Sequence, residues 1–365
     1  MVLQGKGFFI WKVRDCENGD SQAIATQAAQ SGLTHLLVKI ADGSYSYNID
    51  PSGVDMVPSI VSACHMQGIL VYGWQYIYGA DPVGEANKAI QRVQQTGVDG
   101  FVIDVEKEFK ESGKNQAAQK YMDRLRAAFP NLPLALSSYR FPSYHPQIPW
   151  GIFLERCDLN MPQVYWVQAH NPAEQLERCV REFQAMTPYR PIVPTGSAYK
   201  SGGWQATPDE VNAFLDKALQ LNLSGANFWE WANCRTYISE VWRAIARFEW
   251  PGGPAARDIV QQYIDSLNAR DVTQVVNLYN PNAVHINAAR TIQGTTAIRS
   301  WYQSLLTQVL SDATFTLTGY SGTGNSRHFN WTATSPDGKV SNGSDTFGLL
   351  DGKIGYHYTF FDVVK

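Results

Sequence analysis

The sequence has little cysteine, little charge and no long apolar run, and each shortage excludes a class of protein. Its five cysteines, Cys16, Cys64, Cys157, Cys179 and Cys234, are odd in number, widely spaced and without a CxxC pair. Such spacing predicts neither a disulfide framework nor a zinc site, and the thiols read as free and buried, suited to a reducing compartment. No apolar stretch approaches the ~20 residues needed to cross a bilayer, so no membrane partner is expected. Lys and Arg number 30 against 33 Asp and Glu, a net charge of −3. That balance offers no basic field for nucleic acid or an anionic membrane surface, and a neutral or small polar partner is expected instead. Met1 to Val13 lacks a basic stretch followed by an apolar core and a small-residue cleavage site. No export signal is read there, which leaves a cytoplasmic location as the default and the true one open.

What is present is a chain of 365 residues, 44% hydrophobic and 12% aromatic, long enough for two or three folded domains. All cysteines and every Glu precede Pro251, whereas Gly252 to Lys365 has eight Asp, eight Lys or Arg, and neither Glu nor Cys. The break coincides with Trp250-Pro251-Gly252-Gly253-Pro254, which cannot continue a helix. Domains are expected over 1–250 and 255–365, joined by a linker at 251–254.

Before the linker, short apolar runs alternate with amphipathic stretches, the pattern of parallel strands joined by helices. Eight strands are predicted, near Gly7–Ile10, His35–Val38, Ile69–Tyr72, Gly100–Ile103, Leu134–Leu136, Asp158–Met161, Pro191–Pro194 and Ala226–Trp229. Helices are predicted over Pro82 to Thr96 and Asn115 to Phe129, and Thr207-Pro208-Asp209-Glu210 reads as a helix start. Eight such units in roughly 250 residues is the size of a closed (β/α)8 TIM barrel. No Gly-rich phosphate loop follows the first strand, which disfavours a doubly wound open sheet. After the linker the order changes to α+β. Helices are predicted over Ala255–Ala269, Val272–Tyr279 and Thr296–Leu310, then strands over Phe315–Tyr320, Arg327–Ala333, Ser344–Leu350 and Lys353–Phe361, with a tight turn at Leu350-Asp351-Gly352-Lys353.

In such a barrel the C-terminal strand ends build the active site. The fourth strand ends in Asp104-Val105-Glu106, which puts two carboxylates on one face about 6.6 Å apart along the strand, from a ~3.3 Å rise per residue. Carboxylates that close raise the proton affinity of at least one, so one can serve as an acid while the other stays ionised. Glycosidic bond cleavage needs that pair. Carboxyl separations of ~5–5.5 Å and ~6.5–9.5 Å are both reachable by rotamer choice, so the spacing leaves retention and inversion open. The third strand carries Tyr72, Trp74, Tyr76 and Tyr78 at period two, the sixth Gln163 and Tyr165, and the eighth Trp229 and Glu230. Aromatic rings suit the apolar faces of sugars, while Gln and Tyr hydrogen-bond hydroxyls and acetamido groups. The same rings also suit barrel packing, and alternation leaves open whether Trp229 or Glu230 points inward. Lys39 or Lys12 is placed to pair with the carboxylates, and Asp42 to be a rim carboxylate or a loop cap.

The first ~110 residues resemble the family-25 glycoside hydrolases, the Chalaropsis-type lysozymes, through Val38-Lys39-Ile40-Ala41-Asp42-Gly43, Val71-Tyr72-Gly73-Trp74-Gln75-Tyr76 and Asp104-Val105-Glu106. The resemblance implies Glu106 as general acid and Asp104 as the carboxylate that assists the substrate acetamido group or the transition state. Trp11-Lys12 stands where that family ends its first strand with an Asp. The fourth strand also resembles the family-18 chitinase pattern, with Val102 at the position of that family's middle Asp, and Met161-Pro162-Gln163-Val164-Tyr165 echoes its sixth strand. The C-terminal segment resembles the SnoaL-like, nuclear-transport-factor-two-like fold, through Leu278-Tyr279-Asn280-Pro281-Asn282-Ala283-Val284 and Ile292-Gln293-Gly294-Thr295-Thr296-Ala297-Ile298. That resemblance implies a small α+β cone that commonly forms homodimers through its sheet, with Tyr279, His285, Trp301, Tyr302, His328, Trp331, Asp345 and His357 as pocket candidates.

The expectation is a hydrolase of N-acetylated-sugar glycans, with Glu106 and Asp104 catalytic and Lys39, Asp42, Tyr72, Trp74, Tyr76, Gln163, Tyr165 and Trp229 shaping the sugar site, without metal or cofactor. A binding barrel without turnover, and an isomerase or hydrolase activity in the C-terminal pocket, are the alternatives.

Overall fold

The structure, a computed structural model, describes residues 3–251, 258–323, 325–350 and 352–364. The chain divides into two compact units, Met1–Ala256 and Arg257–Lys365. Of the predicted linker, residues 252–254 lie outside the described residues.

In the first unit eight strands run parallel: β1 (Gly5–Ile10), β2 (Leu33–Asp42), β3 (Leu70–Ile77), β4 (Gly100–Val105), β5 (Leu134–Tyr139), β6 (Leu159–Val164), β7 (Thr195–Ser197) and β8 (Gly225–Trp229). Each pairs with the next, and β8 pairs with β1, so the sheet closes into a barrel. Alternation along the strands then sorts side chains into two cores. Phe9, Leu37, Tyr72, Trp74, Val102, Ala135, Leu159, Met161 and Val193 fill the interior. Phe8, Leu36, Val38, Phe101 and Ile103 face the surrounding helices. At the floor, Tyr72 lies across Gly100, where a Cβ would come within 2.2 Å of its ring, so only glycine admits it there.

The helices start and stop where local chemistry dictates. Pro82–Thr96 begins behind Asp81, whose carboxylate accepts from Gly84 N–H, and ends at Gly97 in the left-handed region. Pro208–Gln220 begins with the reciprocal Thr207–Glu210 capping box. The predicted Asn115–Phe129 helix forms over Lys114–Ala128. The seventh strand departs from expectation. The apolar run Pro191–Pro194 predicts it there, but the prolines have no N–H for the ladder. Ile192 makes only an isolated bridge to Asn160, and regular pairing starts at Thr195.

The second unit opens with helices Ile259–Asn268 and Val272–Asn277, followed by Thr295–Ser304, which runs on into a π-turn over Leu305–Val309. Its six-stranded sheet is built from β9 (Tyr279–Ile286), β10 (Thr291–Gln293), β11 (Thr314–Thr323), β12 (Ser326–Ser335), β13 (Gly338–Leu350) and β14 (Lys353–Phe360), in the order β10-β9-β14-β13-β12-β11. Residues 255–257 of the predicted first helix, and Asp351 of the predicted turn, lie outside the described residues, though Leu350 pairs with Lys353 across that turn. β13 starts six residues before the predicted Ser344, because Gly338, Lys339 and Val340 continue the pairing with β12.

Candidate functional site

Asp104 is on the last turn of the pleat of β4, and Glu106 follows the strand end directly, with Lys107–Lys110 forming a 3-10 turn beyond it. Opposite them, Gln163 near the end of β6 donates from Nε2 to Asp104 Oδ1 and to Glu106 Oε1, both at 3.0 Å. One amide thus gathers the two carboxyls. Their oxygens are separated by no more than twice that distance. Asp104 is only 7% exposed, whereas Glu106 is half-buried. Burial, and then the charge of Glu106, hold the Asp104 carboxyl well above the ordinary range, against hydrogen bonds from Ser137 and Gln163 and the charge of Lys39.

Two tyrosines flank the pair, and a cluster of tryptophans fills the interior towards the first strand. Tyr165 is half-buried, and burial first, with Asp104, Tyr199 and Glu106 adding, pushes its phenol well up. Tyr76 donates from its hydroxyl to Glu108 Oε2 at 2.7 Å, and its phenol is raised by burial, that bond and the neighbouring carboxylates. Trp74 and Trp229 meet edge to face at 5.6 Å, and Trp229 lies 5.7 Å from Phe9 and 6.4 Å from Trp11. Trp74 is buried, its Nε1 donating to Ile10 O at 3.1 Å, so it fills the upper interior. Trp11, 41% exposed, occupies the first-strand end.

Lys39 pairs with Asp42 at 2.8 Å, not with Asp104 or Glu106 directly, and is sandwiched near Tyr47 and Trp74 at 4.4 and 4.8 Å. Tyr78 donates to the other oxygen of Asp42 at 2.8 Å, making Asp42 a rim carboxylate tied to two neighbours. Tyr72 is placed differently from the rest. It is buried in the floor, in register with Gly100, and the acids that act on it, Asp99 and Asp158, precede β4 and β6 at the opposite end of the barrel. Alternation assigns a face but not a depth, which is why the sequence grouped Tyr72 with Trp74 and Tyr76. Trp229 points inward, while Glu230 caps the helix Trp231–Tyr237, accepting from Ala232 N–H and Asn233 N–H. Glu108 was missed by the sequence reading. It sits past the strand, where period-two logic ends; its Lys-Glu-Phe-Lys setting carried no signal.

In the second unit five of the pocket candidates, Asp345, Trp331, His357, Tyr279 and Tyr302, form a buried network. Asp345 on β13 accepts from Trp331 Nε1 at 3.0 Å, Thr359 Oγ1 at 2.5 Å and His357 Nε2 at 3.0 Å. His357 Nδ1 in turn lies 2.5 Å from the Tyr279 hydroxyl, which lies 2.5 Å from that of Tyr302. All of these residues are buried. His285 packs at a tilt against Trp301, centroids 4.3 Å apart, with neither ring nitrogen bonded, and burial lowers its pKa to about 2. His328 stands apart on the outer face of the sheet, bonded to Thr346.

The fold is therefore a closed α/β barrel with a carboxylate pair at its mouth, followed by an α+β unit with a polar core. Residues 260–357 match the family model of the SnoaL-like domain, and the second unit is a domain of that kind. Among solved structures, the chain is similar to a Kribbella flavida DSM 17836 protein described as a ketosteroid isomerase, at 19% identity over 30% of this chain and 78% of that chain, TM-score 0.27. It is also similar to an Agrobacterium tumefaciens str. C58 protein described as an isomerase of the SnoaL-like family, at 27% identity over 28% of this chain and 94% of that chain, TM-score 0.26. An NTF2-like protein of unknown function from Cytophaga hutchinsonii ATCC 33406 shares 16% identity over 29% of this chain and 88% of its own, TM-score 0.26. No curated protein matches the chain.

Proposed function

We propose that the barrel hydrolyses glycosidic bonds in glycans that carry N-acetylated sugars. The observation that carries this reading is the amide of Gln163 holding Asp104 and Glu106 together at the C-terminal end of a closed barrel, beside Tyr76 and Tyr165. The two carboxyls come from one strand end and share one donor. A direct-displacement water needs acids on opposite faces of the sugar, ~6.5–9.5 Å apart. Same-side acids suit the substrate-assisted route instead. Glu106, the more exposed, protonates the leaving oxygen as the anomeric C–O bond breaks. The acetamido carbonyl oxygen attacks the anomeric carbon, with Asp104 orienting the acetamido N–H. Water then opens the oxazolinium ring and returns a proton to Glu106. Release of reducing ends from chitin oligosaccharides, peptidoglycan and aryl glycosides tests the reading and names the substrate. Turnover on none of them sinks it.

For the second unit we propose homodimerisation through the outer face of its sheet. Tyr356, Tyr358 and Phe360 stand in a row on β14, 42%, 43% and 39% exposed, next to Val284 and Ile286 on β9. A row of exposed rings on an open sheet face is a surface that a second copy would cover.

A further inference from the structure

We propose that the glycan carries an anionic group, held beside the carboxylate pair by Arg140, His145 and Lys110; the inference rests on the glycan reading above and adds the charge of its substrate. β5 ends at Tyr139, which is in register with Gln163, the residue that holds Asp104 and Glu106. Adjacent strands lie ~4.8 Å apart, so the Tyr139 backbone stands one strand spacing from that of Gln163.

Two basic side chains lie on that ring, and a third, Arg140, acts on His145 while its guanidinium lies over the Phe141 ring at 5.1 Å. Lys110 Nζ lies 4.0 Å from its centroid, and the His145 ring lies 4.0 Å from it on a tilted stack. Arg140, the next residue, reaches Tyr165 O with Nη1 at 2.6 Å, and among the described residues that is its one hydrogen-bond acceptor. Its Nε is buried with no partner. A buried guanidinium N–H without an acceptor is costly unless a ligand oxygen completes the set.

Among the described residues, no ion pair joins Arg140, His145 or Lys110 to a carboxylate. The groups acting electrostatically on Arg140 are Cys179, Tyr144, Tyr199 and Arg178, and those acting on His145 are Lys110 and Arg140. The acids nearest in sequence are committed elsewhere: Glu108 accepts from Tyr76, Glu111 pairs with Lys114, and Glu182 pairs with Arg178. A basic cluster whose members form no ion pair of their own selects an acidic group on the substrate, a carboxylate or sulfate on the neighbouring sugar.

The test uses the full chain with Glu106→Gln, which removes the proposed acid, and measures by calorimetry the binding of neutral chitotetraose and of a hyaluronan tetrasaccharide, whose uronates are carboxylates. Tighter binding of the hyaluronan oligosaccharide by about tenfold or more is expected, with the advantage falling as salt rises and collapsing to near unity with Arg140→Gln. Because Arg140 also supports Tyr165 O, the rim variant Lys110→Gln with His145→Gln is measured in parallel, and about a threefold or greater loss of the advantage is expected there. Equal binding of the two oligosaccharides, or an advantage that both variants leave intact, overturns the charge assignment and leaves the glycan reading standing. Binding of neither overturns both.

Discussion

Gln163 Nε2 lies 3.0 Å from Asp104 Oδ1 and 3.0 Å from Glu106 Oε1, so a single neutral donor sets the distance between the two acids of the site. Replacing Gln163 with Leu removes a hydrogen bond to the ionised form of Asp104, and a carboxylate that loses such a bond binds its proton more tightly. The acid limb of the kcat/KM profile is expected to move to higher pH, and turnover to fall by roughly tenfold to a hundredfold from lost positioning. A profile that keeps its position would separate Gln163 from the acids.

Asp104 gives a prediction of opposite sign to the usual carboxylate. Its folded-state pKa is raised, chiefly by burial and then by Glu106. The stability tied to this group is therefore fully present below its unfolded pKa and is lost as pH rises through the folded value. Asp104→Asn, which has no proton to lose, is expected to melt above the parent at pH 7 and to converge with it towards about pH 4. Thermal unfolding at several pH values checks this, and a gap that ignores pH contradicts it.

Asp345 is the common acceptor of three buried donors in the second unit, those of Trp331, Thr359 and His357. Asp345→Ala strands all three. At about 1–3 kcal/mol for each buried donor left unmet, a loss of at least ~3 kcal/mol in unfolding free energy is expected. Denaturant unfolding measures it, and a loss below ~1 kcal/mol would mean that the network relaxes around the gap.

The exposed rings of β14 predict an association. Tyr356→Lys with Tyr358→Lys places two charges on the outer sheet face, and light scattering after gel filtration is expected to report a dimer for the parent and a monomer for the double variant. A parent that runs as a monomer throughout the micromolar range removes the proposal.

The barrel was legible because eight apolar runs with amphipathic stretches between them have few other solutions, and because Thr207-Pro208-Asp209-Glu210 spells a helix start that forms as read. The carboxylate pair was legible for the same reason, since Asp104 and Glu106 break an apolar strand. Depth was not. Tyr72, Trp74 and Tyr76 share a face by alternation, yet they lie at the floor, in the upper interior and at the mouth in turn. The seventh strand was misplaced because the apolar run at 191–194 is bounded by prolines, and hydrophobicity alone does not count N–H groups. Glu108 and the basic cluster at Tyr139 were invisible because they are assembled from loop ends of β4 and β5. The polar core of the second unit brings Asp345, His357 and Tyr279 together through strand register, which a single sequence does not reveal.

The most direct measurement compares product release by the parent and by Glu106→Gln on chitin oligosaccharides and peptidoglycan, with glycan binding followed on the same samples. The account predicts turnover by the parent, a loss of ~10²–10⁴-fold in the variant, as expected for removal of a general acid, and binding that survives the substitution. Glycan binding by both proteins with turnover by neither would contradict it, and would make the barrel, with Trp11 where a first-strand carboxylate would stand, a binding module.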